Sequence, residues 1–409
     1  MKLWLKYLIG IVLGVAAAFI LPLTSIQGQA FIDAAVEIVL RFCRYGLLPV
    51  MFFSIATSFF KLRDERLMTR TALWTGGVIL ASSFALTLIG LLSALIVKLP
   101  RIPITVEKVS EVQTLNLRTL IASIFPYSGF GALVDGAFLL PCFIFAGLAG
   151  AGAASDKVSS KQAVTLFDSL SKVCYIVMSF ITEIFTVGMI AISAKWTLDF
   201  IAIIKTGIFL PLILMLLVDL ILIGVVIYPL VLHFLCHDLH PFHYLYASLC
   251  PFLVAFFSGD TNAALTLALR HGKESLGIRR RINSTVMPLF SIFARGGAAL
   301  VTSVCFVVIL RSYTPLGVTV LDALWIGATS FVISFALGAL PQGGPFIAIT
   351  MLCMMYGRGF EAGYLLLKAA SPIICAFACG IDVLTQIWGT YIVGVKTKNI
   401  VHKDVKQYI

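Results

Sequence analysis

Long apolar stretches separated by short polar ones run along the whole chain. They fall at roughly 4–22, 31–60, 71–97, 131–154, 169–194, 199–234, 282–310 and 360–395. Thr71 to Val97, between Arg70 and Lys98, carries no charge at all. A helix crosses the hydrocarbon of a bilayer in about 20 apolar residues. A closed β-barrel is the only other spanning structure, and these stretches lack its alternation of apolar and polar positions. The pattern predicts an all-α polytopic membrane protein with eight transmembrane helices.

Two further apolar stretches break in the middle. The stretch at 244–269 is interrupted by Ser258, Gly259, Asp260, Thr261 and Asn262, and the one at 324–356 by Pro341, Gln342, Gly343, Gly344 and Pro345. Each half reads as too short or too interrupted to cross alone, so each stretch is predicted to be a re-entrant helical hairpin with a polar tip. Irregular backbone survives at membrane depth only when buried in protein or lining a wet cavity. Paired broken segments are the best sequence pointer to a transporter's binding site. The competing reading is a pair of ordinary helices kinked by Gly and Pro.

Composition agrees with the pattern. Hydrophobic residues make up 60% of the 409 and charged residues 12%, against about 25% charged in an average soluble domain. No gap between spans is long enough for a soluble domain with its own core, so residues 1–409 read as one membrane domain. The net charge of +11 reads as the basic loops of the cytoplasmic side, not as a nucleic-acid surface. Lys61, Arg63, Arg66 and Arg70 follow the second stretch, Arg270, Lys273, Arg279, Arg280 and Arg281 precede the seventh, and Lys396, Lys398, Lys403 and Lys406 crowd the C-terminus. Both termini are therefore expected in the cytoplasm. The loop bearing Lys98, Arg101, Lys108 and Arg118 is an exception to the rule. The first stretch is expected to be a retained span, with Gly10 and Gly14 as a small-residue packing face. The nine cysteines lie scattered in apolar segments without C-x-x-C spacing and read as small hydrophobes.

A few charges sit alone in apolar surroundings: Asp219, Asp260, Arg295 and Asp382, with Glu183 ranked below them. A charge at the bilayer centre costs about 2.5–3.5 kcal/mol on insertion scales, so such residues need partners or water. A structural pair of Arg295 with one acid is one reading. Three acids facing one arginine leave a surplus, which calls for a proton, a cation or a cationic substrate group. On the last stretch, Cys375, Cys379, Asp382 and Gln386 follow at spacings of four, three and four, which puts them on one helix face. Around Arg295, the run from Ala294 to Ala298 has almost no side-chain bulk. That favours either local unwinding or close helix packing.

Several segments resemble the dicarboxylate/amino acid:cation symporters, the glutamate/aspartate transporter family. LLPVMFFSIATSF at 47–59 is similar to its second helix, and IFPYSGFGALVDGAFLLPCFIFAGLAG at 124–150 to its fourth-helix region. HPFHYLYASLCPFLVAFFSGDTNAALTLAL at 240–269 resembles its first hairpin, LGIRRRINSTVMPL at 276–289 its approach to the seventh helix, and ALGALPQGGPF at 336–346 its second hairpin. The resemblance implies eight helices plus two hairpins, a homotrimer and elevator-type alternating access. Residues 1–60 and 119–197 would form the scaffold, and 71–97 and 198–395 the moving transport region. It implies no cofactor beyond a coupling Na+ or H+.

The functional motifs depart from that family. Its serine-rich first tip falls on Gly259, Asp260 and Thr261. Its Asn-Met-Asp-Gly-Thr signature falls on Ala294 to Ala298, with Arg295 at the Met position. The positions that usually hold the substrate amine and distal carboxylate fall on Cys375 and Ala378, the latter followed by Cys379. Two sodium-site positions carry Asp382 and Gln386, and Ser82 matches a hydroxyl near a sodium site.

These readings lead to a secondary transporter of a small carboxylate-bearing solute, such as an amino acid or dicarboxylate, in a bacterial inner membrane. Substrate contacts are expected from Gly259, Asp260, Thr261, Asn262, Arg295, Gln342, Gly343, Gly344, Cys375, Cys379 and Asp382. Cation or proton coupling is expected from Ser82, Asp219, Asp382 and Gln386. Arg295 either anchors the carboxylate or stands in for a lost cation. Rival readings are a same-fold transporter of neutral or cationic solutes, a channel, and a non-transporting sensor. An enzyme is not expected: there is no H-E-x-x-H or G-x-S-x-G, and His237, His240 and His243 read as a solvated loop cluster.

Overall fold

The computed structural model describes residues 2–23, 25–97, 99–103, 117–134, 137–238, 240–314 and 318–409. Most of the polar stretch from Lys98 to Arg118, including Lys98 and Lys108, lies outside them. The described chain is helical, with two isolated β-bridges. In order, the helices are α1 Leu3–Ile20, α2 Ile26–Tyr45, α3 Leu47–Asp64, α4 Met68–Ile96, α5 Leu117–Ile124, α6 Leu140–Ser155, α7 Lys161–Thr206 and α8 Leu210–Ile221. After a π-helical turn at Leu222–Ile227 come α9 Tyr228–Cys236, α10 His243–Ser258, α11 Thr261–Glu274, α12 Arg280–Phe293, α13 Gly296–Tyr313, α14 Val320–Ala336, α15 Gly344–Tyr356 and α16 Ser371–Lys396.

Eight stretches among the described residues are long and apolar enough to cross a membrane, the number the sequence pattern predicts, but the membership differs. Helix α6 has only 16 residues and falls short, because the chain before it is a 3-10 turn and Pro141 sets the helix start. Conversely, Val320–Ala339 is 20 residues long and qualifies by length and composition. The first half of the second broken stretch is therefore not too short to cross.

Boundaries shift for local reasons. The second stretch begins earlier than predicted, at Ile26, because Ser25 caps α2 by accepting from the Gly28 N–H at 3.1 Å. Helix α7 continues past Lys195, whose ammonium reaches Asp33 at 2.5 Å. It ends only at Gly207, whose φ of +67° is left-handed. The last helix starts at Ser371 rather than near 360, with Pro372 in its first turn.

Burial divides the bundle into a centre and a rim. The most apolar window of α16 is buried throughout, and that of Arg280–Tyr313 is 94% buried, whereas the other six spans range from 33 to 44%. Helix α16 packs against α10, α12, α13, α4 and α11. A helix buried on every side cannot be read by amphipathicity, so its polar residues must find partners inside the protein.

The two broken stretches meet at their breaks. Asp260 and Gln342 form an antiparallel bridge, and the Thr261 N–H donates to the Pro341 carbonyl at 3.4 Å. Each break turns on a glycine of positive φ, Gly259 at +60° and Gly343 at +66°. A Cβ at either would meet nothing within 4 Å. Backbone conformation, not crowding, is what calls for glycine there.

At the rim, α1 lies along α7 through the two small residues singled out in the sequence. A Cβ on Gly14 would run into the Ser193 hydroxyl and the Ile190 carbonyl, whereas at Gly76 on α4 it would meet nothing. We expect Gly14→Leu to lower the melting temperature of the detergent-purified protein by several degrees, since overpacking costs about 1–3 kcal/mol. Gly76→Leu should leave it unchanged. Equal melting of the two variants in a thermal-shift assay would refute this packing.

Candidate functional site

The first break is organised by Asp260. Its Oδ1 accepts from the Asn262 N–H at 2.9 Å and so caps α11. Its Oδ2 accepts from Arg44 Nε at 2.8 Å and lies 2.5 Å from Arg44 Nη2. Asp260 is fully buried, and Arg44 arrives from the last turn of α2, beside the chain break at Gly46. The sequence reading that left this carboxylate alone is corrected: its partner is 216 residues away. Arg44 was visible in the sequence as a charge inside the second apolar stretch, but local spacing says nothing about which helix it meets.

The surplus of acids shrinks accordingly. Glu183 is held by Lys6 and by Arg270, whose Nη2 lies 3.1 Å away. Asp382 is held by Arg295. Asp219 differs: it is buried, accepts from Ser93 Oγ at 2.9 Å, and forms no ion pair with the described residues. Three acids do not converge on one arginine.

The face of α16 predicted from spacing is used residue by residue. Cys375 lines a cavity of about 590 Å³. One turn on, Cys379 donates its thiol to the Gly259 carbonyl at 3.3 Å, tying the helix to the first break. Next, Asp382 Oδ1 accepts from the Gly297 and Ala298 N–H groups at 2.7 and 3.1 Å, and its Oδ2 lies 3.7 Å from Arg295 Nη1. Finally, Gln386 Nε2 donates to the Met287 carbonyl at 3.1 Å.

Helix α13 begins here because the chain breaks at Ala294 and Arg295, whose ψ values are +63° and +36°. The break aims the free N–H groups and positive dipole end of α13 at the Asp382 carboxylate. Both sequence alternatives for the small run hold at once. The chain unwinds, and it also packs closely: a Cβ on Gly297 would lie 2.6 Å from Ile381 Cβ and 2.8 Å from the Ala378 carbonyl. On the opposite side Gly296 abuts Ser83 and Leu86 of α4. Ser82, expected near a cation, donates to the Ile79 carbonyl of its own helix at 3.1 Å, and the serine against the break is its neighbour, Ser83.

Arg295 is 3% exposed, and its Nε and Nη2 have no hydrogen-bond partner among the described residues. Those two atoms are one edge of the guanidinium fork, the edge that grips a planar carboxylate through two parallel bonds. The same residue thus presents Nη1 to Asp382 and leaves a buried bidentate edge open.

The remaining predicted residues surround the cavity or the breaks. Gly259, Gln342 and Gly343 line the cavity with Cys375, facing Lys195, Trp196 and Asp199 of α7. Gly344 starts α15. Thr261 is buried with an unpartnered hydroxyl, and Asn262 donates to the Ala137 carbonyl at 3.2 Å. His243 lies 3.5 Å from Asp238 at the partly exposed end of the bundle, away from these residues.

Compared with curated proteins, the sequence has no significant match. Against protein families, residues 3–395 match the sodium:dicarboxylate symporter family. The match covers nearly the whole chain, from α1 to the end of α16, and the chain belongs to the sodium:dicarboxylate symporter family.

Proposed function

We propose a transport function for this integral membrane protein, on the strength of its symporter family and its eight apolar helical stretches. We propose that it is a secondary transporter of a small carboxylate-bearing solute, an amino acid or a dicarboxylate, and that Arg295 anchors the carboxylate. The observation that carries this reading is the buried, unpartnered Nε/Nη2 edge of Arg295. Leaving charged donors unpaired inside a protein is costly, and a planar anion matches that edge.

The approach would run from the cavity past Cys375 and Cys379. The breaks at Gly259 and Gly343 would open as gates, with α10–α11 and α14–α15 acting as re-entrant hairpins. Cation or proton coupling falls to Asp219, the buried acid here without a cationic partner among the described residues, with Ser82 and Gln386 as further candidates and Asp382, paired with Arg295, as a candidate for a proton.

For the elevator, residues 1–60 and 119–197 would stay fixed while 71–97 and 198–395 move, with the boundary at 197 carried on to the end of the continuous helix α7 at Thr206. Supporting this division, the two parts meet through ion pairs: Arg44 with Asp260, Glu183 with Arg270, and Asp168 with Arg280 at 3.8 Å. The resemblance adds a homotrimer, and the distribution of Lys and Arg would put both termini in the cytoplasm, with a bacterial inner membrane as the setting.

A thermal-shift panel of amino acids, dicarboxylates and neutral analogues tests the assignment, because ligands of the folded state stabilise it by mass action. We expect a carboxylate solute to raise the melting temperature. Arg295→Ala should weaken that response by more than about tenfold, since a charged hydrogen bond contributes about 1.5–3 kcal/mol. Arg295→Lys should rescue it poorly, lacking the fork. An undiminished response in Arg295→Ala would refute the anchor, and a response confined to neutral or cationic solutes would refute the substrate class.

A further inference from the structure

We infer that Arg295 is a tethered cation for Asp382, so that this carboxylate does not take up the sodium ion that the family's description implies. The inference rests on the symporter reading of the fold, but not on Arg295 as the solute anchor.

Asp382 lies 3% exposed on a helix buried on all sides. A carboxylate there needs a counter-charge, and sodium, as a hard cation, would need a shell of oxygen atoms to supply it. What surrounds Asp382 is the opposite chemistry. Oδ1 accepts from the Gly297 and Ala298 N–H groups, and Oδ2, without a hydrogen bond among the described residues, has the Arg295 Nη1 charge 3.7 Å away. Donor hydrogens and a helix N-terminus repel a metal cation. The residues present do not fit sodium at this position.

The guanidinium is a standing counter-charge. It stays charged at any physiological pH, and its backbone is wedged. Gly296 and Gly297, directly after it, leave no room for a side chain between α4 on one side and α16 on the other. The neighbouring break repeats the arrangement, with the Asp260 carboxylate divided between Arg44 and the Asn262 N–H. Two buried carboxylates of the site are thus each neutralised by an arginine built into the chain. A solute entering here meets a fixed positive charge instead of one recruited from solution.

The test uses the full-length purified protein without solute. Melting temperature is followed as sodium chloride replaces choline chloride at constant ionic strength. Wild type and Asp382→Asn should respond to sodium identically, because any sodium bound elsewhere is common to both. Arg295→Met, which leaves Asp382 without its cation, should gain a sodium-dependent stabilisation above wild type, and adding Asp382→Asn should abolish that gain. A wild-type sodium response that vanishes in Asp382→Asn would overturn the inference, as would an Arg295→Met protein with no added response. If Arg295→Met fails to fold in choline, the comparison of wild type with Asp382→Asn decides alone.

Discussion

A carboxylate and a guanidinium buried inside a helix core must find their partners within the protein, and the centre of this molecule is built around that constraint. Charges about 4 Å apart attract by ~4 kcal/mol at an effective dielectric near 20. Desolvation costs several kcal/mol per ion, so the Arg295–Asp382 pair by itself contributes little net stability. The two N–H groups at the start of α13 tip the balance. They exist only because the chain breaks at Ala294 and Arg295, and the break fits only because Gly296 and Gly297 let three helices close on it. Pair, break and glycines are one device.

The same logic governs the meeting of the two broken stretches. Asp260 caps a helix, holds Arg44 and bridges Gln342, so one side chain and its backbone join α2, α11 and the segment before α15. Cys379 carries the connection down α16 toward Asp382. The cavity above is bounded by the parts of this arrangement that have the least bulk, Gly259 and Gly343. The Arg295–Asp382 pair is thus joined to both breaks through α16 and a short series of bonded groups.

Much of this was legible in the sequence, because bilayer thickness and apolar run length are simple physics. The helical class, the number of spans, the two broken stretches and the shared face of Cys375, Cys379, Asp382 and Gln386 followed from run length and 3.6-residue periodicity. Where the helices end was less legible. Lys195 looks like a boundary until Asp33 neutralises it, and Val320–Ala339 looks interrupted only because its polar tip follows closely. The partners of charges were not legible at all. Asp260 appeared alone because Arg44 lies on another helix, and Glu183 because Lys6 and Arg270 do. Pairing across a fold is a tertiary fact that local spacing does not encode. On α4 the Ser82 hydroxyl donates to its own backbone while Ser83 lies against the break, a one-residue difference that spacing alone does not resolve.

The most direct test of this account is a double-mutant cycle between Arg295 and Asp382, read as unfolding stability in detergent. Breaking a buried pair from one side leaves an uncompensated charge and typically costs about 3–5 kcal/mol, whereas removing both partners costs much less. The account predicts that Arg295→Met with Asp382→Asn is more stable than Arg295→Met alone and far from the sum of the two single losses. Additive losses would mean that the two residues act independently, and the central pair would not be what organises the core.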